Sequence, residues 1–125
     1  MIKPLCLLAA WSLSVAAAAA DLGEARLLVD QKRYAEAIAV YESLLSERPG
    51  QADLLIEAAR VHAWADRHPP AARLYQQVLA AAPLRRHDVL LPLAWQLAWA
   101  GRHDEAIPHF QEVAQQVPAQ KTEAL

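Results

Sequence analysis

The chain holds one cysteine, Cys6, in 125 residues, and one methionine, one phenylalanine and three glycines. A lone thiol excludes an internal disulfide framework and a cysteine-based zinc site. With so little glycine there is no glycine-rich loop to cradle a phosphate. The serines are Ser12, Ser14, Ser43 and Ser46, and none sits in a nucleophile–base constellation. Five histidines occur, His62, His68, His87, His103 and His109, but no two are spaced i, i+4 and there is no HExxH. These absences point away from catalysis, metals and cofactors, and no catalytic or metal-ligating residue is assigned. Charge is also undramatic. Twelve basic residues stand against fourteen acidic ones, so no basic face marks a nucleic-acid partner.

Proline is the exception, with eight copies. Three of them punctuate a pattern. AIAVYESLLSERP at Ala37–Pro49, AARLYQQVLAAAP at Ala71–Pro83 and AIPHFQEVAQQVP at Ala106–Pro118 each place alanine first, an aromatic four residues on and proline twelve on. The closing prolines lie 34 and then 35 residues apart. A fixed period of this length marks an array of stacked supersecondary units.

Residues 1–20 stand apart. One basic residue, Lys3, precedes an apolar run from Pro4 to Val15, and Ala18 and Ala20 form an A-x-A site before Asp21. This reads as a secretory signal peptide cleaved after Ala20. The run is short for a membrane anchor, which needs about 20 residues. Cys6 lies too early in it to be acylated at its end. The signal's style and the alanine-rich chain point to a bacterial envelope protein, exported to the periplasm.

From Asp21 the apolar spacing is helical throughout. Leu22, Ala25, Leu28 and Val29 line a first helix, and Tyr34, Ala37, Ile38, Tyr41, Leu44 and Leu45 a second. Leu54, Leu55, Ala58, Ala59, His62 and Ala63 line a third, and Ala71, Leu74, Tyr75, Val78 and Leu79 a fourth, with Pro69 and Pro70 in its first turn. Leu90, Leu93, Ala94 and Leu97 line a fifth, expected to be capped by His87-Asp88 and ended by Gly101. Ala106, Ile107, Phe110 and Val113 line a sixth. Pro92 and Pro108 suit their helices only within a first turn, because an interior proline removes a hydrogen bond. Residues 119–125 are expected to fray.

The three copies resemble the tetratricopeptide repeat. Its small residue in helix A falls on Ala25, Ala59 and Ala94. Its alanine early in helix B falls on Ala37, Ala71 and Ala106, its aromatic on Tyr41, Tyr75 and Phe110, and its final proline on Pro49, Pro83 and Pro118. These alanines and aromatics are the expected repeat-packing set. The turn glycine is present only as Gly101, and the familiar helix-A tryptophan and tyrosine are absent. The resemblance implies an all-α solenoid: six helices in three repeats at about 21–50, 51–83 and 84–118, stacked in a right-handed superhelix. It also implies a partner-binding groove lined by the A helices. Arg26, Arg60 and Trp95 share one groove position, and Asp30, Trp64 and Trp99 the next. Asp53, Ile56, Asp88 and Leu91 lie along the same line.

Indoles offer a large contact area with an N–H handle, which suits an extended peptide or a sugar chain. Equally, Trp64, Trp95 and Trp99 read as packing between successive A helices. Three functions follow. The first is a non-catalytic interaction scaffold of the envelope, with LAWAGRHDEA similar to repeats in scaffolds of exopolysaccharide secretion and outer-membrane assembly. The second is a carbohydrate-binding module using the tryptophans. The third is a self-assembling module. No polar capping helix follows the third repeat, which leaves its helix B, with Ile107 and Val113, to meet a partner, a second copy or the rest of a longer protein.

Overall fold

A computed structural model describes residues 21–116, and these are helical with short turns. The expected signal peptide and the 119–125 tail lie outside the described residues. The chain divides into two compact units, at Arg48/Pro49.

In the first unit, residues 21–30 are helical (α1) and α2 spans Tyr34–Glu47. Ala25 and Ala37 are fully buried, and Ile38, Tyr41 and Leu44 form the buried stripe of α2. These are the positions that the helical spacing assigns to the inner face.

The second unit holds α3 (Ala52–Trp64), α4 (His68–Ala81), a three-residue 3-10 turn (Pro83–Arg85), α5 (Arg86–Trp99) and α6 (His103–Gln116). Each helix packs on the next, α3 on α4, α4 on α5 and α5 on α6. Ala59 on α3, Ala71 on α4, Ala94 on α5 and Ala106 on α6 are all buried where these helices pack. Small side chains at these points let the backbones approach. Leu55, Val61, Val78, Val89, Leu90, Leu93 and Leu97 fill the remaining core. Each such side chain contributes roughly 1.5–3 kcal/mol when taken fully out of water.

The three A-to-B turns have one construction. In each, a residue with positive φ follows the A helix: Lys32 (60°), Asp66 (58°) and Gly101 (81°). The N–H of that residue donates to a carbonyl three back, and the next N–H to one five back. The pairs are Lys32 to Val29 and Arg33 to Leu28, Asp66 to Ala63 and Arg67 to His62, and Gly101 to Ala98 and Arg102 to Leu97. This is the Schellman closure, which satisfies the last carbonyls of a helix. Glycine is therefore not obligatory at the turn. Lysine and aspartate hold the left-handed conformation at the first two sites. The residue after it is arginine each time, and Arg33 and Arg102 each grip a glutamate three residues on, Glu36 and Glu105.

Two expectations fail for one reason. Asp88 does not cap α5, because the 3-10 turn carries the chain into helix earlier and α5 starts at Arg86. Asp88 instead sits in the first turn, where its charge still opposes the helix dipole. The earlier start moves Pro92 out of the first turn and into the helix interior. Pro108 is likewise interior to α6. Each proline leaves one carbonyl without its usual donor, that of Asp88 and that of Asp104, and both are exposed residues on first turns, where water can serve.

Candidate binding face

Helix α5 is buried on most of its circumference by Val89, Leu90, Leu93, Ala94, Gln96 and Leu97. What remains open is a line at Leu91, Trp95 and Trp99, spaced i, i+4, i+8 along one face. These side chains retain 42%, 46% and 58% of their surface. The indoles of Trp95 and Trp99 stack at 5.3 Å with 26° between their planes. Trp95 meets the edge of Phe110 on α6 at 5.0 Å. Trp99 meets His68 at the start of α4 at 5.4 Å. His68 Nδ1 lies 2.8 Å from Oε1 of Gln96, which is buried, so the ladder is anchored in the core. Each aromatic pair adds about 0.5–1.5 kcal/mol beyond its area. The indoles thus pack against one another and still offer surface outward.

Helix α3 runs parallel to α5, and contacts at both ends show it. At the N-terminal end, the Arg85 guanidinium donates to Asp53 in the first turn of α3 and to Asp88 in the first turn of α5, both at 2.7 Å. These bonds raise the Arg85 pKa above its ordinary value, Asp53 first and Asp88 next. At the other end, His68, just past α3, reaches Trp99, the last residue of α5. Trp64 closes α3 at that same end and is 55% exposed. Arg60 lies one turn before Trp64 and is exposed. Its charge acts on Tyr75, whose pKa is raised by burial and lowered in part by Arg60. The face therefore has a charged end at Asp53, Arg85 and Asp88, and an aromatic end at Trp64, Trp95 and Trp99.

Arg85 belongs to this face although no sequence pattern assigns it there. Two residues past Pro83 it reads as linker, and only the 3-10 turn aims it at both carboxylates. Ile56 is the correction in the other direction. Repeat alignment places it in the groove, but it is 6% exposed, so it belongs to the core. Arg26 and Asp30 are exposed on α1 of the first unit. Of the expected packing set, Phe110 alone is half-buried and the others are buried.

Beside α5, Arg86 makes a two-pronged contact with Glu112 of α6, at 2.7 and 2.8 Å. Those hydrogen bonds hold the Glu112 carboxyl below the usual range. Among the described residues no group of three or more potential metal ligands gathers, and no helix is long and apolar enough to cross a membrane.

A helical repeat array with an open face is the architecture of a protein-interaction scaffold. Two tetratricopeptide repeat models match the sequence, over residues 28–91 and 88–119, and the chain belongs to that family. Its fold is similar to solved MamA structures. MamA AMB-1 matches at a TM-score of 0.68 and 18% identity, over 79% of this chain and 54% of that one. MamA from Desulfovibrio magneticus RS-1 matches at 0.66 and 18%, over 81% and 56%. A third MamA structure matches at 0.67 and 16%, over 86% and 58%. The chain thus spans a little over half the length of these structures, and at such identity the likeness is one of fold. No curated protein matches the sequence.

Proposed function

We propose that this protein is an exported, non-catalytic scaffold of the bacterial envelope that holds an extended segment of a partner protein along the α3/α5 face. The observation that carries this reading is the open line of Leu91, Trp95 and Trp99, joined at one end by Trp64 and at the other by the Asp53–Arg85–Asp88 cluster. Stacked, half-exposed indoles on rigid helices give contact area at low entropic cost, as hot-spot residues do. The charged end supplies polarity, so a bound peptide has a preferred direction. Export rests on the composition of residues 1–20, and the place in the cell proposed with it is the periplasm, in exopolysaccharide secretion or outer-membrane assembly. N-terminal sequencing of protein from a periplasmic fraction should begin at Asp21. Met1 intact in that fraction would make residues 1–20 a retained anchor, and protein found only in the cytosolic fraction would remove the export step.

A sugar chain is the competing ligand, favoured by the flat stacked pair itself. Intrinsic fluorescence separates the two. Quenching and a blue shift with envelope peptides but not with polysaccharide is the expected result. The reverse pattern would make the face a carbohydrate site.

A further inference from the structure

Histidine opens two of the B helices, and the two copies are used differently. His103 opens α6 and is exposed. His68 opens α4, and its side chain keeps 22% of its surface. Three groups stand around the His68 ring. Nδ1 lies 2.8 Å from Oε1 of Gln96, which is buried on α5. Nε2 lies 3.9 Å from Oδ1 of Asp66, in the turn after α3. The ring centre lies 5.4 Å from that of the Trp99 indole, with 46° between the planes.

These contacts give the two ring nitrogens unequal roles. An amide oxygen accepts and cannot donate, so Nδ1 carries the proton in the bond to Gln96. In the neutral ring Nε2 then holds a lone pair, and a lone pair turned toward a carboxylate gains nothing. A second proton, on Nε2, reverses this. The new N–H faces the Asp66 carboxylate, the bond to Gln96 becomes charge-assisted, and a cation meets the Trp99 π-system. Three contacts strengthen together. Two groups oppose the charge: the N-terminus of α4, with its partial positive charge, and Arg67, the preceding residue. Helix α5 presents the neutral Gln96 and Trp99, while Arg102 beyond them is bound to Glu105. In the last turn of α3 the titratable residue is His62, which is buried.

We propose that His68 is a proton-sensitive latch on Trp99: proton uptake draws the indole against the imidazole, and proton loss releases it. The supports of the latch are fixed. Gln96 is buried, and Asp66 belongs to a Schellman turn with φ of 58°. Trp99 is the part with room to move, as the last residue of α5 and 58% exposed. Its stack on Trp95 carries the change along the helix. The aromatic end of the α3/α5 face therefore passes from loosely to firmly held over the range in which imidazole titrates, from about pH 8 to about pH 5. That the latch regulates partner binding rests on the function proposed for this face. The latch itself does not, and its test needs no partner.

The test is tryptophan fluorescence of the full chain against pH, with circular dichroism recorded on the same samples. A cationic imidazole beside an indole quenches its emission. Emission should fall in one step between about pH 8 and about pH 5, with helicity unchanged, and acrylamide should quench less at the acid end. His68→Gln should abolish the step, because the amide keeps a polar group there and does not titrate. His68→Tyr is the second variant, since α2 carries Tyr34 at this repeat position, and it should be equally flat. Trp99→Phe should also lose the step, which assigns the signal to that indole, and His103→Gln should keep it in full. Flat emission in the parent would overturn the proposal. So would a step that survives in either His68 variant or in Trp99→Phe. A step that tracks a loss of helicity would overturn it as well, since unfolding would then be moving the indole.

Discussion

Helices α3 and α5 occupy the same place in successive repeats, yet they use their outward positions differently. At the first shared position both carry aspartate, Asp53 and Asp88, and one arginine, Arg85, holds the pair. At the next, Ile56 is buried and Leu91 is open. At the third, α3 has Arg60 where α5 has the stacked Trp95. At the fourth, both carry an exposed tryptophan. One repeat position therefore serves the core in one copy and the surface in the next. A side chain's role in an array is set by its neighbours as much as by its own helix, since each repeat contacts only those beside it.

The sharpest way to break this comparison is at Ile56, Leu90 and Leu91. Leu90→Ala empties a fully buried site and should cost about 2–5 kcal/mol, with Ile56→Ala in the same range. Leu91→Ala, one residue from Leu90 and equivalent to Ile56, should stay within about 0.5 kcal/mol. Urea unfolding of the three variants measures this. Equal losses at Ile56 and Leu91 would mean that the two positions are not used differently.

A smaller effect is expected at Trp95. Trp95→Ala removes the stack on Trp99 and the edge contact with Phe110, and should lower stability by about 1–2 kcal/mol. Arg60→Ala, at the same repeat position, should be nearly silent in the same thermal melt. The turns come next. Gly101→Ala should cost about 1 kcal/mol because alanine resists positive φ, while Asp66→Gly should gain about 0.5–1 kcal/mol at the equivalent turn.

The smallest effect concerns pH. Glu112 has its folded pKa lowered by Arg86. Its contribution is present above the ordinary carboxylate pKa and fades as pH falls through the lower folded value. Both partners keep part of their surface in water, so screening keeps the stability change slight. An NMR titration should show Glu112 titrating below its usual range, and Arg86→Ala should return it there.

Much of the fold is legible in the amino-acid sequence itself. Alanine at the crossings, the aromatic four residues on and the closing prolines report local spacing, and spacing is what a sequence displays. The six helices follow from it, and so does the buried set from Ala25 to Ala106. The start of α5 is not legible. Asp88 resembles a cap, and nothing in PLRRHD announces that a 3-10 turn enters the helix earlier. A start placed too late then misplaces Pro92. The candidate site divides in the same way. The line Leu91, Trp95 and Trp99 can be drawn from helical spacing. Whether Ile56 faces water cannot, because that depends on what packs over it. The Arg85 clamp is hidden because it joins residues 32 positions apart through a turn with no sequence signature.

The central claim is that the α5 tryptophans bind a partner protein. Affinity capture from envelope extract tests it most directly, with the parent protein beside a Trp95→Ala/Trp99→Ala variant shown by circular dichroism to remain helical. A specific protein held by the parent and lost by the variant is the predicted result. The same protein held equally by both would contradict the account and leave the indoles as packing.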